Sequence, residues 1–409
     1  MMQSQNRTTR QDFFLILILG FLEAITPFSI DTYLPAFPQI AQQLRVDVSK
    51  VSLTVSSYFI AFALGQIFYG PLLDRFGRKP PLYSGLVVYV AASLGCAFSS
   101  SLTMFIVLRF VQAFGGCVAS VAAIAMVRDF FDVKKATNIY ALLILILGAS
   151  PMLAPTIGSF ISDAKGWEAV FVALAAMGLA ALAVIFFFLP EGHKADASVA
   201  LKPKPIIENF RSIFTLPQFY VYVLSGSLSF AGLFVYVAGS PDLFMDYFHL
   251  SAKMYSLVFA VLSIGIIGGS QLNHLFVRKF KNESIFTVAV TLQAIVTVVF
   301  FAGAINHWYG VTATVLFLFL TLLCIGISIP PSSAIALGPF VSNAGSASAL
   351  LGFIRLGIGA GVSVLVGVMQ LHTYIKLPLI LLISSGAGFL FLMATQKRLK
   401  GALQYQSAS

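Results

Sequence analysis

Twelve long apolar stretches, separated by short polar turns, constrain the fold of this chain more than any other feature. A helix needs about 20 mainly apolar residues to cross roughly 30 Å of hydrocarbon. Only 10% of the residues are charged, whereas about 25% are charged in a typical soluble domain. The sequence therefore predicts an all-α membrane protein with twelve transmembrane helices. The predicted helices cover, to within a few residues, 13–35, 51–73, 81–101, 103–127, 137–163, 168–189, 217–240, 252–276, 284–305, 308–332, 345–369 and 376–396.

The distribution of Lys and Arg predicts the orientation of these helices. With the N-terminus in the cytoplasm, eighteen of the 25 basic residues fall in cytoplasmic segments, five on the opposite side and two inside spans. This asymmetry follows the positive-inside rule, and an even number of spans places both termini in the cytoplasm. The net charge of +10 then reflects topology and contact with anionic lipid headgroups. The basic residues are scattered over several loops, which argues against nucleic-acid binding.

The longest polar interruption divides the predicted helices into two sets of six. It covers residues 191–216 and contains several charged residues and prolines, a composition typical of a linker. We therefore expect an N-terminal half over 1–190, a cytoplasmic linker over 191–216 and a C-terminal half over 217–409.

Three sequence patterns resemble the major facilitator superfamily. The first is Gly70-Pro-Leu-Leu-Asp-Arg-Phe-Gly-Arg-Lys79, which is similar to the superfamily's loop between helices 2 and 3. The second is Leu108-Arg-Phe-Val-Gln-Ala-Phe-Gly-Gly116, which resembles a block of proton-coupled facilitators, with Ala113 in place of the usual Gly. The third is Pro151-Met-Leu-Ala-Pro-Thr-Ile-Gly158, which resembles the block of the antiporter branch, with Ala154 where a Gly is common.

Further segments resemble the bicyclomycin- and chloramphenicol-resistance (Bcr/CflA) branch of drug:proton antiporters. They are 29–38, the Arg128-Asp129 pair and 353–360. The resemblance spans nearly the whole chain. It implies two pseudo-symmetric six-helix halves with a substrate site near the bilayer midplane, in the bacterial inner membrane.

The resemblance also implies a conformational latch, a set of residues that holds one side of the transporter shut. In the family pattern the acid that corresponds to Asp74 interacts with the start of a neighbouring helix, whose N-terminus carries a partial positive charge. The neighbouring bases bind headgroups or form a breakable ion-pair network, and the glycines allow a tight turn. A simple positive-inside anchor is the structural alternative. The expected latch residues are Gly70, Asp74, Arg75, Gly77, Arg78, Arg128, Pro155 and Gly158.

Charged residues inside the predicted spans indicate where the transport chemistry lies. Glu23 is the one acid well inside a predicted span, and Asp31 follows eight residues later on the same helix, beyond Pro27. Such charges are costly in a membrane and are usually functional or paired. We expect Glu23, Asp31 and Arg109 to couple substrate to protons, with the proton and the substrate competing for the acids. Structural alternatives are a buried acid joining two helices, an acid at the outer interface and an arginine that binds backbone carbonyls. Arg355 is open between a structural and a transport role.

Aromatic residues favour a lipophilic substrate. The chain holds 39 Phe and 14 Tyr, and aromatic walls suit drug-like molecules and organic cations. Most of these rings must simply face lipid or pack between helices. The expected substrate-binding residues are Glu23, Asp31, Tyr33, Tyr58, Phe62, Gln112, Phe234 and Tyr236.

The sequence contains no GxxxxGK[ST] motif for ATP, and its three cysteines and five histidines show no metal-ligand spacing. We therefore expect no cofactor, no bound metal and no enzymatic activity, with the proton gradient as the driving force. The predicted partners are a small lipophilic substrate, protons and membrane lipids, and we expect a monomer.

The leading hypothesis is a proton-coupled multidrug exporter that works by alternating access. The alternatives are a proton-coupled exporter of one metabolite, such as an amino-acid derivative, short peptide or siderophore, and a non-transporting membrane receptor of facilitator ancestry.

Overall fold

The computed structural model describes residues 9–131, 133–190, 203–340, 344–371 and 373–406. Within these residues the secondary structure is entirely helical. A helix satisfies all of its own backbone hydrogen bonds, which makes it one of two structures that can span hydrocarbon. The helices are α1 (Thr9–Asp31), α2 (Phe37–Leu44), α3 (Val48–Phe76), α4 (Lys79–Ala97), α5 (Leu102–Phe130), α6 (Val133–Lys165), α7 (Trp167–Phe188), α8 (Pro203–Phe214), α9 (Pro217–Pro241), α10 (Ala252–Phe276), α11 (Asn282–Ile305), α12 (Val311–Leu337), α13 (Ala344–Val368) and α14 (Thr373–Gln406).

Twelve stretches of the described chain are helical, long and apolar enough to cross a membrane. This confirms the predicted number of spans, while individual boundaries shift. The first helix ends at Asp31 and continues, after a short 3₁₀ turn at Leu34–Ala36, as the separate helix α2. Part of the predicted linker is helical, because α8 lies within it; residues 191–202 of the linker lie outside the described residues.

The chain divides into two compact units. The first contains Met1–Asp47, Ser57–Leu201 and Ala252–Phe259. Within it, α4 packs against α5 and α7, and α1 packs against α5 and α6. At one end of these helices, Phe171 packs edge to face on both Phe105 and Trp167, which are themselves in tilted contact.

The second unit contains Val48–Ser56, Lys202–Ser251 and Ala260–Ser409. Helix α9 is its central element and packs against α12, α13 and α14, while α11 packs against α12 and α14. A π-helical segment, Asp242–Tyr247, continues α9. Close helix approach depends on small residues: a Cβ on Gly359 of α13 would lie 2.5 Å from the ring of Phe234.

Candidate functional site

The two acids of α1 are both buried within the first span. Ser120 donates a hydrogen bond of 3.0 Å from its Oγ to Oε1 of Glu23, while the buried Oε2 has no hydrogen-bond partner among the described residues. Asp31 is the last residue of α1 and is also buried. Across the described chain, no Lys, Arg or His forms an ion pair with either carboxylate. The helix passes through Pro27 without a break.

Arg109 lies on α5 and is held by aromatic rings instead of an acid. Its guanidinium carbon lies 4.3 Å from the ring centre of Tyr33 and 4.4 Å from that of Tyr58, with Phe171 of α7 at 5.7 Å. Arg109 is fully buried and donates a hydrogen bond to Oε1 of Gln112. Cation–π contacts of this kind are worth more when they are desolvated. The expected group of Tyr33, Tyr58, Arg109 and Gln112 is therefore brought together in the structure.

The polar residues of α5 share one face of the helix. Arg109, Gln112 and Ser120 follow one another at spacings of three and eight residues, and positions separated by multiples of about 3.6 residues lie on the same side. Gln112 donates to Oγ of Ser93 on α4 at 2.7 Å. Ser93, Ser120 and Phe171 were not among the predicted site residues. The helical spacing from Arg109 to Ser120 was the signal that could have identified Ser120.

Gly158 of α6 makes the closest backbone approach in the first unit. A Cβ at this position would lie 1.6 Å from the carbonyl oxygen of Thr32, the residue that follows Asp31. One turn earlier, the carbonyl oxygen of Pro155 accepts a hydrogen bond of 3.0 Å from Oγ of Ser256. Glycine at position 158 thus allows α6 to contact the backbone directly at the end of α1.

Arg78 is the centre of the predicted latch region. Its Nη1 donates to Oδ1 of Asp74 at 2.7 Å, and its Nε and Nη2 donate to the two oxygens of Asp129 at 2.7 and 3.1 Å. The Asp74 side chain is 56% exposed, whereas that of Asp129 is 14% exposed. Burial lowers the pKa of Arg78, but the hydrogen bonds and charges of Asp129 and Asp74 outweigh it and raise the pKa above its ordinary value.

This geometry corrects several details of the predicted loop. Residues up to Phe76 belong to α3, so Gly70 is helical and does not form a turn; a Cβ there would meet no atom within 4 Å. Gly77 is the turn residue, with a φ of 84° that favours glycine. Asp74 pairs with Arg78, the residue at the start of the neighbouring helix α4.

The remaining bases of the predicted latch lie at its edge. Arg75 lies with its guanidinium carbon 5.8 Å from the ring centre of Phe76. Arg128 is exposed in the last turn of α5, and its neighbour Asp129 is the residue that binds Arg78. Asp129 was not among the expected latch residues, and the role of Arg128 stays a prediction.

The second unit holds the other predicted binding residues and one unexpected ion pair. Phe234 and Tyr236 are buried on α9. Asp242 and Lys376 form a 2.9 Å ion pair in which both side chains are only 3% exposed. Asp242 lies in the π-helical segment within the span Pro217–Tyr247. Glu23 is therefore not the only acid well inside a span, and Lys376 is buried near the start of α14.

The predicted cavity lining is thus divided between the two units. The residues Glu23, Asp31, Tyr33, Tyr58, Phe62, Arg109 and Gln112 are all buried in the first unit, and Phe234 and Tyr236 in the second. Over the described residues, no group of three or more His, Cys, Asp or Glu side chains could hold a metal ion. The three cysteines are free and buried.

Comparisons with known proteins identify the family. Residues 19–364 match the family described as the Major Facilitator Superfamily. The chain is 31% identical over 373 residues to a bicyclomycin resistance protein homolog of Haemophilus influenzae, covering 89% of this chain and 91% of the relative. It is 30% identical over 389 residues to the multidrug resistance protein MdtL of Shigella flexneri, covering 90% and 96% of the two chains.

Solved structures show the same fold. The crystal structure of a D-xylose–proton symporter matches with a TM-score of 0.73 at 15% identity, covering 93% of this chain and 98% of the symporter. A bacterial homolog of the human lysosomal transporter Spinster matches with a TM-score of 0.71, also at 15% identity, covering 95% and 96%. The resemblance found in the sequence patterns is confirmed. The chain belongs to the major facilitator superfamily, as a transport protein and not an enzyme, in the bacterial inner membrane.

Proposed function

We propose that this protein exports small lipophilic compounds, neutral or cationic, in exchange for protons, and that it works by alternating access. Two relatives that cover most of the chain carry names that refer to bicyclomycin resistance and to multidrug resistance. The many Phe and Tyr side chains of the chain support a lipophilic substrate, because pockets for drug-like molecules are lined mainly by hydrophobic and aromatic side chains.

The observation that carries the proposal is the pair of buried acids on α1. Glu23 and Asp31 lie inside a span, and neither forms an ion pair with a described basic residue. A charge at the centre of a membrane costs about 2.5–3.5 kcal/mol on insertion scales. A carboxylate without a cationic partner is therefore stabilised by binding a proton or a cationic substrate. Protons and substrate compete for these acids, and this competition is the basis of exchange.

Arg109 supports the acids indirectly in this proposal. Its charge is stabilised by Tyr33, Tyr58 and Phe171, so the carboxylates are left available to mobile partners. The proposed substrate contacts are, within the first unit, the rings on Arg109 with Phe62 and Gln112, and, within the second unit, Phe234 and Tyr236.

The latch belongs to the same cycle. The bidentate contact of Arg78 with Asp129, reinforced by Asp74, ties the start of α4 to the ends of α3 and α5. Breaking and reforming this network is the proposed event that accompanies the change of access. Gly158 provides the close contact of α6 with the end of α1, and the carbonyl oxygen of Pro155 joins α6 to Ser256 of α10.

The proposal is tested with purified protein in vesicles that contain a pH-sensitive dye. A panel of lipophilic cations and neutral antibiotics is added, and proton movement is recorded. We expect substrate-evoked proton movement in the unmodified protein and its loss in Glu23→Gln and Asp31→Asn, with normal insertion of both variants. Ser162→Ala serves as the control, because this buried hydroxyl of α6 donates a hydrogen bond to the carbonyl oxygen of Ser159, within its own helix. Proton movement that persists in both acid variants would refute the coupling mechanism. No proton response to any compound would instead favour a metabolite exporter or a non-transporting protein.

A further inference from the structure

Arg355 is a charged residue deep inside a span of the second unit. It lies in α13, within the span Ser346–Val368. At 1.5 Å per residue it is about 14 Å from the start of that span and about 20 Å from its end. A lipid headgroup at either end of the helix is therefore too distant to be its partner. An arginine at such a depth is rare and usually marks a functional site.

Two serines of α12 hold the guanidinium in place. Nη2 of Arg355 donates to Oγ of Ser332 and to Oγ of Ser333, each at 3.1 Å. Both hydroxyls in turn donate to the carbonyl oxygen of Ile329, at 2.9 and 3.0 Å. Because their protons are already used, the serines can only accept from the arginine. They fix its orientation without neutralising its charge.

An aromatic ring lies beside the charged group. The ring centre of Phe230 lies 5.6 Å from the guanidinium carbon of Arg355, and Phe230 packs edge to face on Phe234 at 5.4 Å. Phe234 is itself seated against the backbone of Gly359 on α13. Phe230 is therefore held in place by Phe234, and its apolar ring lies next to the guanidinium of Arg355.

The guanidinium retains hydrogen-bond donors that nothing in the described chain uses. Nε is buried and has no acceptor, and Nη1 donates to no described residue, since the only hydrogen bonds of this side chain come from Nη2. No described acid forms an ion pair with it. Leaving a charged donor unsatisfied is costly.

Two other arginines with short-range partners, Arg78 and Arg109, differ from Arg355. Arg78 is neutralised by two carboxylates, and Arg109 is fully buried under aromatic rings. Arg355, by contrast, is partly exposed, has no acid partner in the described chain and is already oriented. These properties are typical of a site that binds an anionic ligand.

We infer that Arg355, held by Ser332 and Ser333 beside Phe230, is a subsite that binds a carboxylate group of the transported compound. This rests on the proposed function, and it extends the substrate class from neutral and cationic compounds to lipophilic acids. The carboxylate binds to Nε or Nη1 in a single charge-assisted contact, because the serines occupy Nη2 and prevent a two-pronged contact. The apolar part of the compound packs on Phe230.

The test compares three compounds on one aromatic scaffold: 2-naphthylacetate, its methyl ester and 2-(2-naphthyl)ethylammonium. Binding to the full-length protein in nanodiscs is measured by titration of the naphthyl fluorescence. A hydrogen bond to a charged group is worth about 1.5–3 kcal/mol, so Arg355→Gln should weaken binding of the acid by at least about tenfold. Binding of the ester and the amine should change by less than about twofold, since both lack the anionic group.

Three variants complete the experiment. Arg278→Gln removes the same charge from an exposed position after α10 and should leave binding of all three compounds unchanged. Arg355→Lys keeps the charge and should retain part of the affinity for the acid. The double variant Ser332→Ala/Ser333→Ala keeps the arginine but removes the partners of Nη2, and should change the affinity for the acid and not for the ester, even if Arg355→Gln does not fold.

The inference is overturned if the unmodified protein does not bind the acid, or if Arg355→Gln weakens acid and ester equally. It is also overturned if the double serine variant binds the acid as tightly as the unmodified protein. The binding assay requires no proton flux. A protein that binds the acid through Arg355 but moves no protons would therefore refute the proposed exchange and leave this subsite intact.

Discussion

Replacing Gly158 with alanine should disturb the first unit at the end of α1. The added Cβ would lie 1.6 Å from the carbonyl oxygen of Thr32 and 2.6 Å from its carbonyl carbon. To reach even 3.0 Å, the shortest separation that real Cβ atoms show, the backbones must move apart by about 1.4 Å. Both atoms belong to backbone, so no side-chain rotation relieves the clash. Asp31, the residue before Thr32, must move with it.

Overpacking a core typically costs 1–3 kcal/mol, and a backbone clash lies at or above the upper end of that range. The first unit contains about 200 residues, and for a domain of that size each kcal/mol lost from the free energy of unfolding lowers the melting temperature by about 2–4 °C. We therefore expect Gly158→Ala to lower the melting temperature of the purified protein by about 6–12 °C. The assay is the reaction of a thiol dye with Cys96, Cys117 and Cys324, which are buried and free and become reactive on unfolding.

The matched control is Gly386→Ala in α14. A Cβ there meets no atom within 4 Å, and alanine is favoured over glycine in a helix by about 1 kcal/mol. The control should therefore be as stable as the unmodified protein or slightly more so. Equal melting temperatures for the two variants would refute the close approach of α6 to the end of α1, and with it the proposed role of Gly158.

Two charge pairs give further predictions. Asp129→Asn should lower the melting temperature more than Asp74→Asn, because removing a buried partner of Arg78 costs about 3–5 kcal/mol and an exposed one at most about 1 kcal/mol; equal effects would contradict the dominant role of Asp129. Lys376→Met should also destabilise by about 3–5 kcal/mol, because it removes the cationic partner of the buried Asp242, whereas adding Asp242→Leu should restore most of the loss. If the double variant is as unstable as Lys376→Met alone, loss of the ion pair is not the cause of the destabilisation.

The helices could be predicted from sequence, because apolar runs of about 20 residues directly report the length of a membrane span. Local details followed from residue chemistry as well: Gly77 has the positive φ that a tight turn requires. Gly70 does not, since α3 extends through Pro71 to Phe76. A proline within a helix is tolerated in membranes when the freed backbone groups find other partners, and the sequence does not state where that happens.

The partners of the charged side chains could not be predicted in the same way. Glu23 and Ser120 are 97 residues apart in the chain, and Arg78 and Asp129 are 51 apart. Such contacts depend on which helices pack together and on their rotation. The buried pair of Asp242 and Lys376 illustrates this limit, because each residue lies near a predicted span end and only the packing of α14 against the π-helical segment brings them together.

The two buried acids Glu23 and Asp31 give the proposed exchange an electrical consequence, because each proton that they carry is a charge moved across the membrane. Since the fixed charges of the protein return to their starting positions in each cycle, one inward proton exchanged for one neutral molecule moves one net charge. The membrane potential then adds about 2.3 kcal/mol per 100 mV to the driving force. One proton exchanged for a monovalent cation moves no net charge and gains nothing from the potential. Export of neutral compounds would therefore respond to voltage, whereas export of monovalent cations would respond to the pH gradient alone.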